Sequence, residues 1–189
     1  MVKVGFICEG DTERKILESN TFQQMLTTFG ISCVMPIEDA GGSGNLLPHN
    51  IEPIRTKLFS AGATQIIVLT DLDKDVCITR TKQRISELPN QIIIIAVKAI
   101  EAWFLADSGL LSQLIGDVIH INHPENEEQP FDVIRRLFLN KTGRGVGTKH
   151  ILTTRLLKYG FSIERAAQHP NCPSANYFLT KLQTLASAN

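Results

Sequence analysis

Acidic residues follow two short apolar runs of the sequence, and their types and spacing are suited to holding a metal ion. The runs read VKVGFIC and QIIVLT, and the acids that follow are Glu9, Glu13, Asp71 and Asp73. A short apolar run that ends in carboxylates is typical of a buried strand that brings acid to one rim of a sheet. Clustered carboxylates repel one another unless a divalent cation neutralises them, so the pattern predicts a Mg²⁺ or Mn²⁺ site.

Asp71 and Asp73 are two residues apart in a chain that is leaving a strand, so both carboxylates can point the same way. With Asp75 they also match the start of a calcium-binding loop. That loop needs Gly at its sixth position and Glu at its twelfth, where this chain has Val76 and Lys82. A calcium loop is therefore excluded, and a solvated acidic turn is the remaining alternative to a metal site.

A purely structural role could explain Glu13 but does not explain Glu9. Glu13 lies in the first turn of the helix expected after the first strand, where an acid also favours the helix dipole. Glu9 directly ends an apolar strand and has no comparable explanation. Gly10 follows it and permits close approach of the backbone to a ligand.

Three further charged residues are candidates for the same site. Lys98 interrupts an apolar run where the fourth strand should end, and Glu101 follows shortly after it. Lys149 belongs to the most basic loop of the C-terminal part, which is rich in glycine. An ammonium at either position could contact a phosphate, although a lysine at a strand edge with a buried stem and a solvated loop are the alternatives.

A glycine-rich segment, GGSGN, follows the second predicted strand. The backbone amides of Gly42, Ser43 and Gly44 are candidates for binding phosphate, together with Gly10. The segment lacks the Lys-Ser/Thr ending of a P-loop, so nucleotide hydrolysis is not indicated.

The elements that must position these residues alternate between strand and helix. Apolar runs at 2–8, 31–35, 65–70 and 91–97 predict four strands with helices between them, and Asn50 is predicted to cap one of these helices. If the acids after strands one and three act together, those strands are neighbours. Right-handed crossovers then give an α/β fold with a parallel sheet in the order 2-1-3-4.

Two regions are predicted, an α/β core at residues 1–121 and a helical extension at residues 122–189. Helices are expected in the extension at 131–139, 148–159, 162–168 and 174–186. The extension is too small to bury a core of its own, so we expect it to pack on the sheet domain.

The composition of the chain limits which partners it can bind and indicates the compartment in which it acts. Nineteen basic and nineteen acidic residues cancel, so contact with nucleic acid requires a local basic surface. The four cysteines form no CxxC pair, and the most apolar run, 92–97, is far shorter than the roughly 20 residues that span a bilayer. We expect a cytoplasmic protein with reduced thiols and no membrane partner, and its oligomeric state is left open.

The acids also resemble a known pattern. A hydrophobic strand followed by E-G-x-[TS]-[ED], and a later strand followed by D-x-D, is the signature of Toprim domains, found in topoisomerases, primases and nucleases, including the overcoming-lysogenization-defect nucleases. The matching residues are Glu9, Gly10, Thr12, Glu13, Asp71 and Asp73. Residues 99–107, AIEAWFLAD, and the PSA stretch at 173–175 further resemble a bacterial Toprim-like family that is often encoded beside ABC-type ATPases.

This resemblance implies roles for individual residues. Asp71 and Asp73 would hold Mg²⁺, and Glu9 would be a metal ligand or the general acid or base. Glu13 matches the second acid of the nuclease branch, in which two metals are expected. Nuclease relatives place a catalytic lysine C-terminal to their acids, and Lys149 is the candidate for that role.

Three functions follow as hypotheses. The first is a Mg²⁺-dependent phosphodiester hydrolase acting on nucleic acid, in which Glu9 moves a proton and Lys98 or Lys149 stabilises the charge that develops on the phosphate. The second is a non-catalytic or partner-activated subunit that binds metal and nucleic acid for an ATPase. The third is a haloacid-dehalogenase-type phosphatase, which would use Asp71 and Asp73 but has Asp75 where that motif needs Thr or Val, and leaves Glu9 unused.

Overall fold

Four parallel strands form one sheet in the computed structural model, which describes residues 1–187. The strands are β1 (Val2–Cys8), β2 (Ile31–Asp39), β3 (Gln65–Asp71) and β4 (Gln91–Ala96). Their order is β2-β1-β3-β4, which confirms the predicted fold class and strand order. Strand β2 continues beyond the predicted end at residue 35, because its last residues pair again with β1 after a shift in register.

Register brings the ends of the strands to one rim. Cys8 of β1 is opposite Leu69 of β3, and Asp71 of β3 is opposite Ala96 of β4. The backbone N–H of Glu9 also donates to the carbonyl of Leu69 at 3.0 Å. Glu9 therefore lies beside the residues that end β3, as the carboxyl ends of adjacent parallel strands require.

Within residues 1–187, ten α-helices connect and cover the strands. They are α1 (Asp11–Glu18), α2 (Asn20–Thr28), α3 (Pro48–Ser60), α4 (Ile78–Ile85), α5 (Glu101–Ala106), α6 (Ser108–Ile115), α7 (Pro130–Thr142), α8 (Lys149–Lys158), α9 (Ile163–Gln168) and α10 (Pro173–Ser187). The prediction that Asn50 caps a helix is wrong, because α3 already begins at Pro48 and the Asn50 amide donates to the carbonyl of Gly44. Among residues 1–187, no helix combines the length and apolar character needed to cross a membrane.

The hydrophobic core has one cluster on each face of the sheet. The smaller cluster packs Leu58 of α3 and Ile85 of α4 against β3 and β4. The larger cluster joins Phe6 of β1 to Phe138 of α7 and Phe178 of α10. The helical extension, described as far as Ser187, thus shares a core with the sheet, and residues 188 and 189 lie outside the described part of the chain.

Helix α5 and Asp107, the residue that follows it, link the sheet domain to three helices of the extension through polar contacts. The pairs are Glu101–Lys149, Asp107–Arg165 and Trp103–Ser174. Trp103 is fully buried and stacks on Phe178 with ring centroids 5.8 Å apart, so the AIEAWFLAD segment serves packing as well as the site. These contacts hold α8 at the rim where the acids are.

Candidate active site at the carboxyl rim of the sheet

A cavity of about 540 Å³, here called the acid cavity, opens at the carboxyl ends of β1 and β3. It is lined by six of the predicted charged residues, Glu9, Glu13, Asp71, Asp73, Glu101 and Lys149, together with Gly10 and Gly42. Side chains from the sheet, from the first turn of α1 and from the start of α5 therefore meet a lysine of the extension. The clustering of acids predicted from the two strand ends is present.

Glu9 is held in place by β3. Its Oε2 accepts a hydrogen bond of 2.5 Å from the hydroxyl of Thr70 and a longer one of 3.3 Å from the backbone N–H of Asp71. Thr70 is fully buried, so its hydroxyl cannot bond to solvent and donates to Glu9 instead. The bonds hold the Glu9 carboxylate beside Asp71.

Asp71 is surrounded by four other carboxylates of the cavity. Its Oδ1 accepts a 2.8 Å hydrogen bond from the backbone N–H of Ile100, which orients the carboxylate. Burial raises the pKa of Asp71 well above its ordinary value, and the charges of Glu13, Glu101, Glu9 and Asp73 raise it further. Positive charge brought into the cavity would therefore stabilise the ionised form of Asp71.

Glu13 is buried although it lies in the first turn of a helix. Only 5% of the residue is exposed, so a solvated acid that merely favours the helix dipole does not describe it. Burial, followed by the charges of Glu101 and Glu9, raises the pKa of Glu13 to about 7, against the lowering effects of a backbone hydrogen bond and of Lys149. Near neutral pH, Glu13 is therefore divided between its protonated and ionised forms.

Glu101 is the most buried acid of the cavity and faces Lys149. It is 1% exposed, and its Oε1 lies 3.0 Å from the Lys149 ammonium. The two groups make an ion pair without good hydrogen-bond geometry, because neither Glu101 oxygen has a hydrogen-bond partner within residues 1–187. Burial alone would lower the pKa of Lys149, but the carboxylates of Glu101, Asp71 and Glu13 raise it above its ordinary value.

Asp73 and Lys98 share an unusual backbone conformation at the edge of the acid cavity. Their φ angles are 50° and 64°, in the left-handed region that side chains other than Gly adopt at some cost, and the Asp73 N–H donates to the Lys98 carbonyl at 2.9 Å. The Lys98 ammonium does not line the acid cavity. It lies 2.5 Å from Oε1 of Glu128, in a neighbouring cavity that also includes Asp73.

The glycine-rich segment supports the site from the β2 side. The N–H of Gly42 donates to the carbonyl of Glu9 at 2.8 Å, so this amide helps to position Glu9. Ser43 and Gly44 lie in the short 3-10 helix Ser43–Leu46, and neither lines the acid cavity. Phosphate binding by this segment stays a prediction.

Asp75 has separate partners and lies outside the acid cavity. Its Oδ2 accepts from the hydroxyl of Thr81 at 2.7 Å and from Arg84 at 3.0 Å. The third aspartate of the D-x-D-x-D segment therefore helps to hold α4, and it is available as a matched control for the two aspartates in the cavity.

Sequence reasoning missed three polar residues that line the cavity, namely Asp39 at the end of β2 and the pair of Asp11 and His150. The imidazole Nδ1 of His150 lies 2.9 Å from Oδ2 of Asp11, and its Nε2 lies 2.8 Å from the Lys15 ammonium. Asp11 and His150 both line the acid cavity. No local pattern could have paired them, because their contact depends on the packing of α8 against α1.

The chemistry of the residues fits a divalent cation. Most of the ligands that the cavity offers are carboxylate oxygens, with the imidazole of His150 beside them, and it contains the unbonded buried oxygens of Glu101. The pKa values of Glu13 and Asp71 are raised. Within residues 1–187, no three His, Cys, Asp or Glu side chains are arranged to hold a metal ion as they stand. The carboxylates would therefore have to close around a cation as it binds.

Comparison of the chain with protein-family models, with curated proteins and with solved structures found no match. The resemblance to Toprim domains therefore stays a prediction, and functional inference depends on the residues of the acid cavity.

Proposed function

We propose that this protein is a Mg²⁺- or Mn²⁺-dependent phosphodiester hydrolase that acts on nucleic acid, with the acid cavity as its catalytic centre. One observation carries the proposal. Seven acids, which come from the ends of β1, β2 and β3 and from the starts of α1 and α5, line one cavity together with Lys149. So many carboxylates in one cavity repel one another unless positive charge neutralises them, and a bound cation supplies that charge.

Glu9, Asp71 and Asp73 would hold the cation, with Glu13 and Glu101 placed to complete a second position. The bound ion would polarise the scissile phosphate and lower the pKa of an attacking water. The raised pKa of Glu13 supports this arrangement, because burial and, after it, the charges of Glu101 and Glu9 disfavour the ionised form, and a bound cation would relieve both effects.

Two side chains of the cavity would act on the reacting groups directly, one by accepting a proton and one by stabilising negative charge. Glu9, held by Thr70 and by the Asp71 N–H, is suited to accept a proton from the attacking water. Lys149 is half-exposed and reaches into the cavity, so its ammonium is suited to stabilise negative charge on a phosphate oxygen. In that role, Lys149 exchanges Glu101 for the phosphate.

The Lys149–Glu101 ion pair also favours a second candidate, a partner-activated subunit. While the pair is intact, the lysine neutralises an acid that would otherwise be free to bind metal. An ATPase partner that moves α8 would release both groups together. We further propose that nucleic acid is the substrate or ligand in either case, and that the protein acts in the cytoplasm.

The deciding assay incubates the purified protein with plasmid, linear duplex and single-stranded nucleic acid in Mn²⁺, alone and with a candidate ATPase. We expect metal-dependent cleavage that Asp73→Asn and Glu9→Gln each reduce by several orders of magnitude, with the double variant little worse than either. Asp75→Asn is the matched control. Absence of cleavage in all conditions would favour the binding subunit, and trapping of an aspartyl-phosphate at Asp71 would favour the phosphatase.

A further inference from the structure

Two further cavities follow one another from the acid cavity across the extension. A second cavity, of about 370 Å³, shares Asp73, Glu101 and Lys149 with the acid cavity. A third, of about 480 Å³, shares Asp132 with the second and lies against α7 and the glycine-rich loop before α8. The second and third cavities together are here called the extension groove.

The extension groove carries the basic residues that a neutral protein needs for local contact with a polyanion. Lys74 and Lys98 line its second cavity, and Arg135 and Arg136 line its third. Arg144 stands between Gly143 and Gly145 in the adjoining loop and is exposed. The same two cavities are also lined by Asp73, Glu101, Glu128 and Asp132, so the groove attracts phosphates where its cations exchange these acids or face away from them.

Two of these cations are paired only with exposed acids. Lys98 contacts Glu128, whose side chain is 80% exposed, and Arg135 contacts Asp132 with both side chains about half exposed. Exposed ion pairs contribute only about 0–1 kcal/mol. Arg135 can therefore exchange its carboxylate for a phosphate at little cost. Lys98 is only 28% exposed, but its partner Glu128 stays hydrated when it leaves, so a phosphate can take its place.

Phe131 supplies an aromatic surface within the same groove. Its half-buried ring lines the second cavity, with the Lys149 ammonium 5.9 Å and the Arg135 guanidinium 5.8 Å from the ring centroid. An aromatic ring among cations is the arrangement with which proteins bind single strands, since bases stack on the ring while phosphates contact the cations. Bases within a duplex are covered by their neighbours and cannot stack on such a ring.

We propose that the extension groove binds an unpaired nucleic-acid strand, with one base stacked on Phe131 and neighbouring phosphates on Lys98, Arg135 and Arg136. The inference rests on the proposed function, because it leads the strand into the acid cavity, and it narrows the substrate to single-stranded segments. The same strand passes Lys149 where the second cavity joins the acid cavity.

The test measures binding without cleavage. A fluorescein-labelled 12-nucleotide oligodeoxythymidine and a blunt-ended duplex of the same length are titrated by fluorescence anisotropy in EDTA, with Asp71→Asn/Asp73→Asn as the parent protein. We expect the single strand to bind more tightly than the duplex. Adding Phe131→Leu should weaken single-strand binding on the order of tenfold, while Phe131→Tyr restores it, because tyrosine also stacks.

Charge is tested in the same parent. Arg136→Ala should reduce the slope of log affinity against log salt for the single strand by about 0.7, while Lys158→Ala, which removes an exposed cation at the end of α8, should leave it unchanged. Circular dichroism shows whether each variant is folded. If Phe131→Leu does not fold, two other results test the proposal. They are the single-strand affinity of Phe131→Tyr and the salt dependence of single-strand binding in Arg136→Ala.

Equal loss of single-strand and duplex affinity in Phe131→Leu, or no loss of either, would overturn the groove assignment, as would failure of the parent to bind a single strand. Failure of the hydrolase proposal looks different. Wild-type protein would then not cleave in Mn²⁺, while the single strand would still bind with the expected dependence on Phe131 and Arg136.

Discussion

The ammonium of Lys149 lies 3.0 Å from Oε1 of Glu101, and this contact joins the C-terminal extension to the acids at the rim of the sheet. Glu101 is almost fully buried, whereas the Lys149 side chain is about half exposed. The lysine therefore reaches inward from the surface to an acid that has no hydrogen-bond partner in the described residues. The acid cavity is complete only when the extension is in place.

Replacing Lys149 by Met should destabilise the metal-free protein, because it leaves Glu101 buried without a counter-charge. We expect a loss of about 1–2 kcal/mol, less than for a fully buried pair, since the lysine is half exposed. Urea denaturation in EDTA measures the loss. Mn²⁺ should restore part of it, and Lys158→Met on the same helix is the control. Equal stabilities of Lys149→Met and wild type would mean that the pair contributes nothing.

Mg²⁺ or Mn²⁺ should raise the melting temperature of the wild-type protein, and Asp71→Asn/Asp73→Asn should abolish the increase. Without metal, the double variant should be the more stable protein, because it removes repulsion among acids whose pKa values burial and mutual charge have raised. Differential scanning calorimetry measures both effects. Asp75→Asn, with its acid outside the cavity, should respond to metal as wild type does, and equal responses of all three proteins would place the cation elsewhere.

Metal-free stability should fall as the pH rises, with Glu13 as one cause. The folded-state pKa of Glu13 is raised from 4.5 to about 7, so its contribution is fully present below pH 4.5 and is lost as the pH passes through about 7. Asp71 acts in the same direction. Glu13→Gln should reduce the fall by up to about 3 kcal/mol, measured by urea denaturation in EDTA between pH 4.5 and 8. Glu18→Gln on the same helix should follow wild type, and an unchanged slope in Glu13→Gln would contradict the prediction.

Thr70→Val should impair cleavage without changing the shape of the core. The substitution keeps the volume of the side chain but removes the hydroxyl that donates to Glu9 at 2.5 Å. Groups that orient a ligating or catalytic side chain contribute about 10–100-fold, and we expect a loss of that size in the cleavage rate. Thr70→Ser should retain activity, and single-strand affinity should be the same in both variants. Full activity in Thr70→Val would show that the hydroxyl does not position Glu9.

Ser174→Ala should loosen the attachment of α10. The Ser174 hydroxyl donates to buried Glu125 and accepts from Trp103 Nε1 at 2.7 Å. Its loss leaves the Trp103 N–H without this acceptor and removes one of two bonds to Glu125, which still accepts from the Ser174 backbone N–H at 2.9 Å. We expect destabilisation of about 1–3 kcal/mol and faster amide exchange in α10. Ser60→Ala, at the exposed end of α3, should change stability by less than about 0.5 kcal/mol. A stability within that range for Ser174→Ala would show that the bonds contribute little.

Much of the fold was predictable because its signals are local. Strands β1, β3 and β4 are short apolar runs, and a parallel sheet buried on both faces needs no other pattern. The strand order followed from the acids themselves, since Glu9 and Asp71 can act together only if β1 and β3 are neighbours. Local patterns were less reliable at element ends, where Asn50 resembled a helix cap and is used instead to bond Gly44.

The sequence by itself indicated that Glu9, Asp71 and Asp73 reach the rim, because they stand at the ends of two strands and parallel strands end on the same side. Glu13 and Glu101 lie in helices, so their places in the cavity depend on how those helices pack. Only the tertiary structure decided between the two candidate lysines. Lys149 enters the acid cavity and Lys98 contacts Glu128 beside it. The positions of Lys149 and His150 depend on how α8 packs against α1 and the shared core, and packing between distant segments leaves no periodic signal near either residue.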